Sequence, residues 1–302
     1  MSFAIVFSGQ GMQHPEMLTW LVEDDIVRRT CCLLGVDDWR GRLSDKAWAS
    51  ANSSAQVLLT GLGLAAWHQL ASDLPDPACV AGYSVGELAA FSAAGVFDAH
   101  EALDLACQRA LAMNRCAARA PGGLLAVTGL STDAIDALCM ETGLELAIRI
   151  GMGSVVLGGT DAMIAEGESR VESFGARSTR LSVGVASHTH WMRQAAEEFA
   201  QVLTRTPLQR PQGVLFSNLG GRVQHAAQAG SALAAQIANT VRWDECMDDI
   251  HARAPSCVLE IGPGQALARM WNQRHPDIPA RSCDDFRSGA AAKRWIGMSH
   301  SM

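Results

Sequence analysis

No stretch of the 302 residues stays apolar for the roughly 18 positions that a membrane-spanning helix requires, so no membrane partner is expected. Basic runs are missing as well. Asp and Glu number 31 against 24 Lys and Arg, a net charge of −7 with a pI near 5.7, which excludes the positive footprint a nucleic-acid partner would need. The nine cysteines (Cys31, Cys32, Cys79, Cys107, Cys116, Cys139, Cys246, Cys257 and Cys283) contain no CxxC pair. An odd number of thiols in apolar contexts fits a reduced cytoplasmic protein better than a disulfide framework. The opening Met1–Phe7 segment lacks a basic leader and runs into Ser8-Gly9-Gln10 too early for a signal peptide. There is no tandem repeat, low-complexity tract or long linker. With 48% hydrophobic and 18% charged residues, long-range disorder and coiled coil are poor readings too. The histidines form no HExxH or other clear ligand spacing; His188 and His190 make an HxH pair, and neither a metal nor a cofactor is expected.

What is present is a chain long enough for one large domain or a main domain with a small insert. Residues 3–7 read as a short buried strand, 55–72 as a helix, and 78–81 as a second strand followed by a helix over 87–94 and another over about 99–117. Strand, tight turn and helix in repetition predict an α/β layer with a largely parallel sheet flanked by helices. The texture changes at Ala120-Pro121-Gly122-Gly123. From there the pattern predicts strand 124–128, helix 132–141, strands 144–150 and 154–158, helix 161–174 and strand 177–183. That βαββαβ order is the ferredoxin-like signature. It divides the chain into an α/β core over 1–121 and 188–302 and an inserted ferredoxin-like subdomain over 122–187. In the second part of the core the expected elements are a helix to about 203, strand 214–217, helices near 231–239 and 243–253, strand 257–261 and a last helix over about 265–274.

Gly82-Tyr83-Ser84-Val85-Gly86 matches GxSxG, the nucleophile elbow. The chemistry needs a serine on a sharp strand-to-helix turn, with flanking glycines removing side chains that would collide. Such a turn exposes the Ser84 hydroxyl at a helix N-terminus and aims the Val85 N–H at a developing oxyanion. The bland alternative is a small-residue helix cap. The predicted strand before the motif and helix after it favour the elbow. A serine also needs a base, and on pattern alone His188 is no more than one histidine among nine.

Several segments together resemble the malonyl-CoA:acyl carrier protein transacylase family, the acyltransferases of fatty acid and polyketide synthesis. Phe7-Ser8-Gly9-Gln10-Gly11-Met12-Gln13 resembles its FPGQGxQ opening. Gly82 to Glu87 with Ala93-Ala94-Gly95-Val96 resembles GHSxGE…AAGV. Arg109 falls at RGxxMQ, Ser187-His188 at the PSH or ASH motif, Gln236–Trp243 at QLxNPVRW, and Glu260–Gly264 at ExGPG. The six motifs keep the family order over roughly residues 3–275. There are departures. Tyr83, the only tyrosine, stands where histidine is usual, while Ser8, Val57 and Thr240 stand where the family often has proline. Ile150 and Gly151 occupy a region that commonly carries asparagine.

The resemblance implies an α/β hydrolase-like core and an acyltransferase with Ser84 as nucleophile and His188 as general base and then acid. It implies orientation of His188 by the main-chain carbonyl of Gln236, and an oxyanion hole made by the N–H groups of Gln10 and Val85. Arg109, which alone would read as a helix-surface arginine, is implied to hold the free carboxylate of the acyl group, a role suited to a two-pronged guanidinium. The implied reaction moves malonyl from malonyl-CoA to the phosphopantetheine thiol of an acyl carrier protein through a malonyl-serine ester, with CoA thioester as substrate and no cofactor. The same residues would serve the malonyl-transferase subunit of a malonate decarboxylase or a trans-acting polyketide acyltransferase. A serine thioesterase or hydrolase would share Ser84 and His188 and add an acidic third member. Asp104 and Asp133 lie in that interval, neither after a strand. A non-catalytic interaction protein on the same fold would have no need of Ser84 and His188 together. An acidic carrier calls for a local basic patch, for which Arg109, Arg115, Arg119, Arg180 and Arg193 are candidates.

Overall fold

The computed structural model describes residues 2–299. Its centre is the strand Phe3–Phe7, every residue of which is buried. A continuous apolar run of this kind belongs to a strand covered on both faces. It pairs in parallel with Cys257–Ile261 on one side and Cys79–Gly82 on the other, so that Phe7, Ile261 and Gly82 end side by side. The full sheet runs Ala280–Ser282, Cys257–Ile261, Phe3–Phe7, Cys79–Gly82, Leu215–Phe216, Arg222–Val223, and only the last pair is antiparallel. The chain leaves the central strand first to one side and later to the other. Such a switch point opens a crevice at the carboxyl ends of the strands, where the loop Ser8–Gln10 and the turn after Gly82 emerge.

Helix Asn52–Ala71 is buried almost throughout, which accounts for its lack of a polar face. It runs unbroken through Val57, where a proline would have removed a helical hydrogen bond. Helix Ala99–Arg119 is amphipathic, capped by the Asp98 side chain on the Glu101 N–H. Its buried positions include Ala102, Leu105, Ala106, Arg109, Met113 and Cys116. Arg109 therefore sits in phase with the apolar stripe rather than on the solvent face.

The elements from 122 to 180 follow β-α-β-β-α-β order and form a second sheet, Arg177–Arg180, Gly122–Thr128, Ser154–Thr160, Glu145–Gly151, the neighbours antiparallel. Period-two alternation sorts its side chains. Leu125, Val127, Val155 and Leu157 pack with Ile135, Leu138, Ile164 and Val171 of the helices Thr132–Thr142 and Asp161–Ser173 into a separate core. Leu124, Ala126 and Val156 point the other way, into the crevice. A fifth strand, Val241–Arg242, joins this sheet in parallel from the far side of residue 187.

Several boundaries differ from the sequence expectation. The strand expected to reach 183 ends at Arg180, and the helix expected near 231–239 spans Ala226–Ala235. The helix at 266–274 is not the last, since Gly289–Met298 follows it. Helices Asp25–Leu34, Trp39–Arg42 and Lys46–Ser50 fill the stretch before Asn52. All nine cysteines are free thiols, five of them buried, and Cys32 is exposed.

Candidate active site

The turn between strand Cys79–Gly82 and helix Gly86–Ala93 carries Ser84 with φ +54°, a left-handed conformation that costs a non-glycine residue about 1–3 kcal/mol. The two glycines of the motif permit it by close approach. A Cβ on Gly82 would lie 2.1 Å from the Gly86 carbonyl oxygen, and one on Gly86 would lie 2.3 Å from that of Phe7. The peptide groups of Ser84 are held by side chains from distant segments. Its N–H donates to Asn218 Oδ1 at 2.7 Å, and its carbonyl accepts from Gln236 Nε2 at 2.8 Å.

His188 is also left-handed, φ +64°, and is 1% exposed. Its Nε2 lies 2.8 Å from Ser84 Oγ, and its Nδ1 lies 2.6 Å from the main-chain oxygen of Gln236. A carbonyl oxygen only accepts, so Nδ1 carries the proton and Nε2 presents its lone pair to the serine hydroxyl. Gln236 caps helix Ala226–Ala235, and its carbonyl is one of the oxygens a helix end leaves without an internal partner. The earlier helix end thus frees the acceptor that fixes the imidazole. Burial, and after it the charge of Arg109, lowers the His188 pKa to about 3, against the opposing pull of the Gln236 carbonyl. The ring is thus neutral at neutral pH and able to take a proton. In imidazole 15N NMR, His188 is expected to remain a neutral Nδ1–H tautomer at pH 5. A ring that protonates near the ordinary histidine value of about 6.5 would show that the site is wetter than the fold implies.

Arg109 is 2% exposed and spreads its guanidinium between two amides, Nη1 donating to Gln56 Oε1 at 2.7 Å and Nη2 to Gln236 Oε1 at 3.2 Å. Its Nε has no hydrogen-bond partner among the described residues. Burial lowers its pKa to about 10, opposed by the charge of Glu87, and it stays protonated at neutral pH. Glu87 is itself buried, which raises its carboxyl to about 7.

One cavity of about 220 Å³ connects these groups. It is lined by Gln10, Ser84, Val85, Arg109 and His188 among a predominantly aliphatic wall that includes Ile148, Ile150 and Val183. The N–H groups of Gln10 and Val85 have no protein partner among the described residues. The cavity therefore joins an oriented hydroxyl, a neutral base, two unpaired amide donors and a fixed cation. That set can carry out acyl transfer through a serine ester on a group bearing a negative charge.

The other candidates are placed elsewhere. The HxH pair is split, His190 being exposed and paired with Glu145. Asp104 pairs with Arg29 on the surface, Asp133 lies in the first turn of helix Thr132–Thr142, and the third partner of His188 is a carbonyl. Of the arginines expected to form a docking patch, Arg109 is excluded because its apolar helical phase buries it. Arg115 and Arg180 are ion-paired with Glu198 and Asp161, Arg119 bonds Gln194, and Arg193 is exposed.

Two departures from the family pattern have compensating contacts. The Ser8 hydroxyl donates to the buried Glu260 at 2.9 Å, and the Thr240 hydroxyl donates to the Leu146 carbonyl at 2.7 Å. Tyr83 packs edge-on against Trp243, ring centroids 5.2 Å apart, and Ile150 lines the cavity. Three residues of the site are given no role by the sequence reading: Gln56, Glu87 and Asn218. Gln56 lies on helix Asn52–Ala71, and Glu87 closes the elbow motif without a function assigned to it. Asn218 stands in a loop, with no local pattern to mark it.

A model of the acyl transferase domain matches residues 45–285. The chain is similar to the malonyl CoA-acyl carrier protein transacylase of Haemophilus influenzae, 27% identical over 97% of this chain and 99% of that protein. It is 30% identical to the protein of that name from Mycobacterium tuberculosis, over 92% and 95% of the two chains. Among solved structures, an acyl-carrier-protein S-malonyltransferase from Burkholderia pseudomallei superposes with a TM-score of 0.88 at 28% identity, covering 97% of this chain and all (100%) of that one. A malonyl-transacylase in complex with a type II polyketide synthase acyl-carrier protein reaches 0.90 at 27% identity, covering 97% and 99%.

Proposed function

The chain belongs to the acyl transferase domain family, and we propose that within it the protein moves a malonyl group from CoA to the phosphopantetheine thiol of an acyl carrier protein. The observation that carries this reading is a protonated, buried Arg109 opening into the same cavity as the Ser84–His188 pair, so that the serine meets an acyl group whose far end is a carboxylate. Relatives named for this reaction, matched along nearly their whole length, support it.

In the first half-reaction Ser84 Oγ attacks the thioester carbonyl while His188 Nε2 takes the hydroxyl proton. The oxyanion is held by the N–H groups of Gln10 and Val85. Collapse breaks the C–S bond, and His188 returns the proton to the departing CoA thiolate. The carrier thiol then gives its proton to His188 and attacks the malonyl-serine ester, and Ser84 leaves as the protonated alcohol. Gln236 keeps the imidazole in one tautomer throughout. We read the reaction as needing no cofactor beyond the thioester, residues 122–187 as an inserted unit that roofs the cavity, and the setting as cytoplasmic; among the described residues no helix is long and apolar enough to cross a membrane.

Intact-mass analysis after incubation with malonyl-CoA, acetyl-CoA and methylmalonyl-CoA tests the reading. A mass gain of one malonyl group, discharged on adding a carrier protein with its phosphopantetheine arm, is expected. Rapid release of free malonate without an acceptor would identify a hydrolase instead.

A further inference from the structure

We infer that Asn218, acting with the side chain of Gln236, is a clamp that holds Ser84 in its left-handed turn and so aligns Oγ with His188; Asn218 is then a positioning residue for the acyl transfer proposed above, on which this inference rests. Ser84 is gripped on both of its peptide groups, the N–H by Asn218 Oδ1 at 2.7 Å and the carbonyl by Gln236 Nε2 at 2.8 Å. The Asn218 Nδ2 group also donates to the Gly82 carbonyl, so one amide spans the residues on either side of Tyr83. Its orientation is not open to a flip, because the Ser84 N–H only donates and the Gly82 carbonyl only accepts.

Asn218 is itself immobilised. It is 0% exposed, its N–H donates to Glu87 Oε1 at 2.5 Å, and its carbonyl accepts from the Arg242 N–H at 2.7 Å. All its backbone and side-chain polar groups are therefore used, three of them on the elbow strand, the nucleophile itself and the nucleophile helix. The consequence is directional. Tying the Ser84 N–H to Asn218 turns it away from the cavity and leaves the Val85 N–H, the next along the chain, as the unpaired donor beside Oγ. Without the clamp, a serine at φ +54° relaxes toward an ordinary backbone conformation and carries Oγ off the imidazole.

The test uses a fluorophosphonate, which phosphonylates an activated serine whatever its natural acyl group, beside malonyl-CoA kinetics. In Asn218→Ala, both the labelling rate constant and kcat are expected to fall by about 10²-fold, as misplacement of a reacting atom by about 1 Å does. KM for malonyl-CoA is expected to stay within about twofold, because Arg109 and Gln56 are untouched. Asn218→Asp gives a rescue. A protonated carboxyl donates to the Gly82 carbonyl and accepts from the Ser84 N–H as the amide does, whereas the ionised form cannot donate. Burial beside Glu87 favours the protonated form. The ratio of variant to wild-type labelling is therefore expected to climb as pH falls from 8 to 6. The charged and titratable groups around the position are Glu87, which accepts from the residue 218 N–H, Arg242, whose N–H donates to its carbonyl, His188 across Ser84, and Arg109 and Cys246 through Glu87. Glu87 titrates in the same range and couples to the new carboxyl, so the same ratio is taken with Glu87→Gln in both proteins, where the climb is expected to persist. Folded Asn218→Ala labelled at the wild-type rate, with only its yield or melting temperature lowered, overturns the inference, as does an Asn218→Asp ratio flat with pH. If Asn218→Ala does not fold, the Asp ratio decides. Wild-type protein that is labelled at Ser84 yet takes no malonyl would sink the acyl-transfer reading and leave the clamp to be judged on labelling alone.

Discussion

Ser84→Ala is expected to lose malonyl loading on the order of 10⁶-fold in kcat, the scale seen when a serine nucleophile is removed from a working serine–histidine pair. The fold should survive the change. Alanine keeps both peptide groups that Asn218 and Gln236 hold, and among the described residues the hydroxyl makes only one hydrogen bond, with His188. The effect is therefore chemical, and near-wild-type thermal unfolding is the control. His188→Ala is expected to cost a similar factor, and the double variant little more than either single one, because hydroxyl and imidazole act as a unit. Quench-flow measurement of acyl-enzyme formation separates this from a fault in carrier binding. Additive losses in the double variant, or a malonyl mass gain that persists in Ser84→Ala, would place the covalent step on another residue.

Of that pair Ser84 was legible from the sequence for a physical reason, whereas His188 stood out from the other histidines only through the family resemblance. A left-handed serine between a buried strand and a helix demands small residues at fixed spacing, and Gly82 and Gly86 record the demand locally. The central strand was legible too, since Phe3–Phe7 is buried on both faces and must be apolar without interruption. The second sheet was legible from the βαββαβ order of its elements after the turn at Gly122-Gly123. Short pairings carry no such signal. Val241–Arg242, Arg222–Val223 and Ala280–Ser282 are two or three residues long, and only neighbours brought in from elsewhere make them strands. Helix Asp25–Leu34 did leave marks, an Asp24 cap and a left-handed Gly35, though its mixed composition lacks a strong apolar run.

The site residues divide along the same line. Asn218 reaches Ser84 across 134 positions of sequence and Gln236 across 152, so no local periodicity marks either. Gln236 was implied only through resemblance, and then for its main-chain oxygen. Its side chain, which meets both Ser84 and Arg109, comes from the fold. On pattern alone the usual preference of charge for water puts Arg109 on the surface, which suits the docking-patch expectation and not the acyl-carboxylate role that the resemblance implies. Helical phase held the better clue, since Ala102, Leu105, Ala106 and Met113 share its buried face. Departures from the family pattern at Ser8 and Thr240 acquire sense only with coordinates, where each hydroxyl finds a distant acceptor that proline would have left unpaired.

Arg109→Ala is expected to lower kcat/KM for malonyl-CoA by about 2–5 kcal/mol, roughly 30-fold to a few thousand-fold, while acetyl-CoA loading is retained or rises. The asymmetry follows from what surrounds the guanidinium. A buried cation normally has an anion against it, yet here the hydrogen-bonding neighbours are the neutral amides of Gln56 and Gln236, and Nε is without a partner among the described residues. The charge of Glu87 opposes the burial of the guanidinium without a hydrogen bond to it among the described residues, and a substrate carboxylate supplies a directly bonded anion in a dry site, where an ion pair is screened little. An acetyl group supplies none and leaves the cation with Glu87 alone. Truncation to alanine removes the reward for malonyl and the penalty for acetyl together, so selectivity should move further than either rate alone. Arg109→Lys is not expected to restore it, because a single ammonium cannot reach both amides and a carboxylate with the same fork. Competition between malonyl-CoA and acetyl-CoA, read as the ratio of the two acyl-enzyme masses, measures the change directly. Unaltered malonyl preference in folded Arg109→Ala would mean that selectivity resides in the aliphatic wall of the cavity instead.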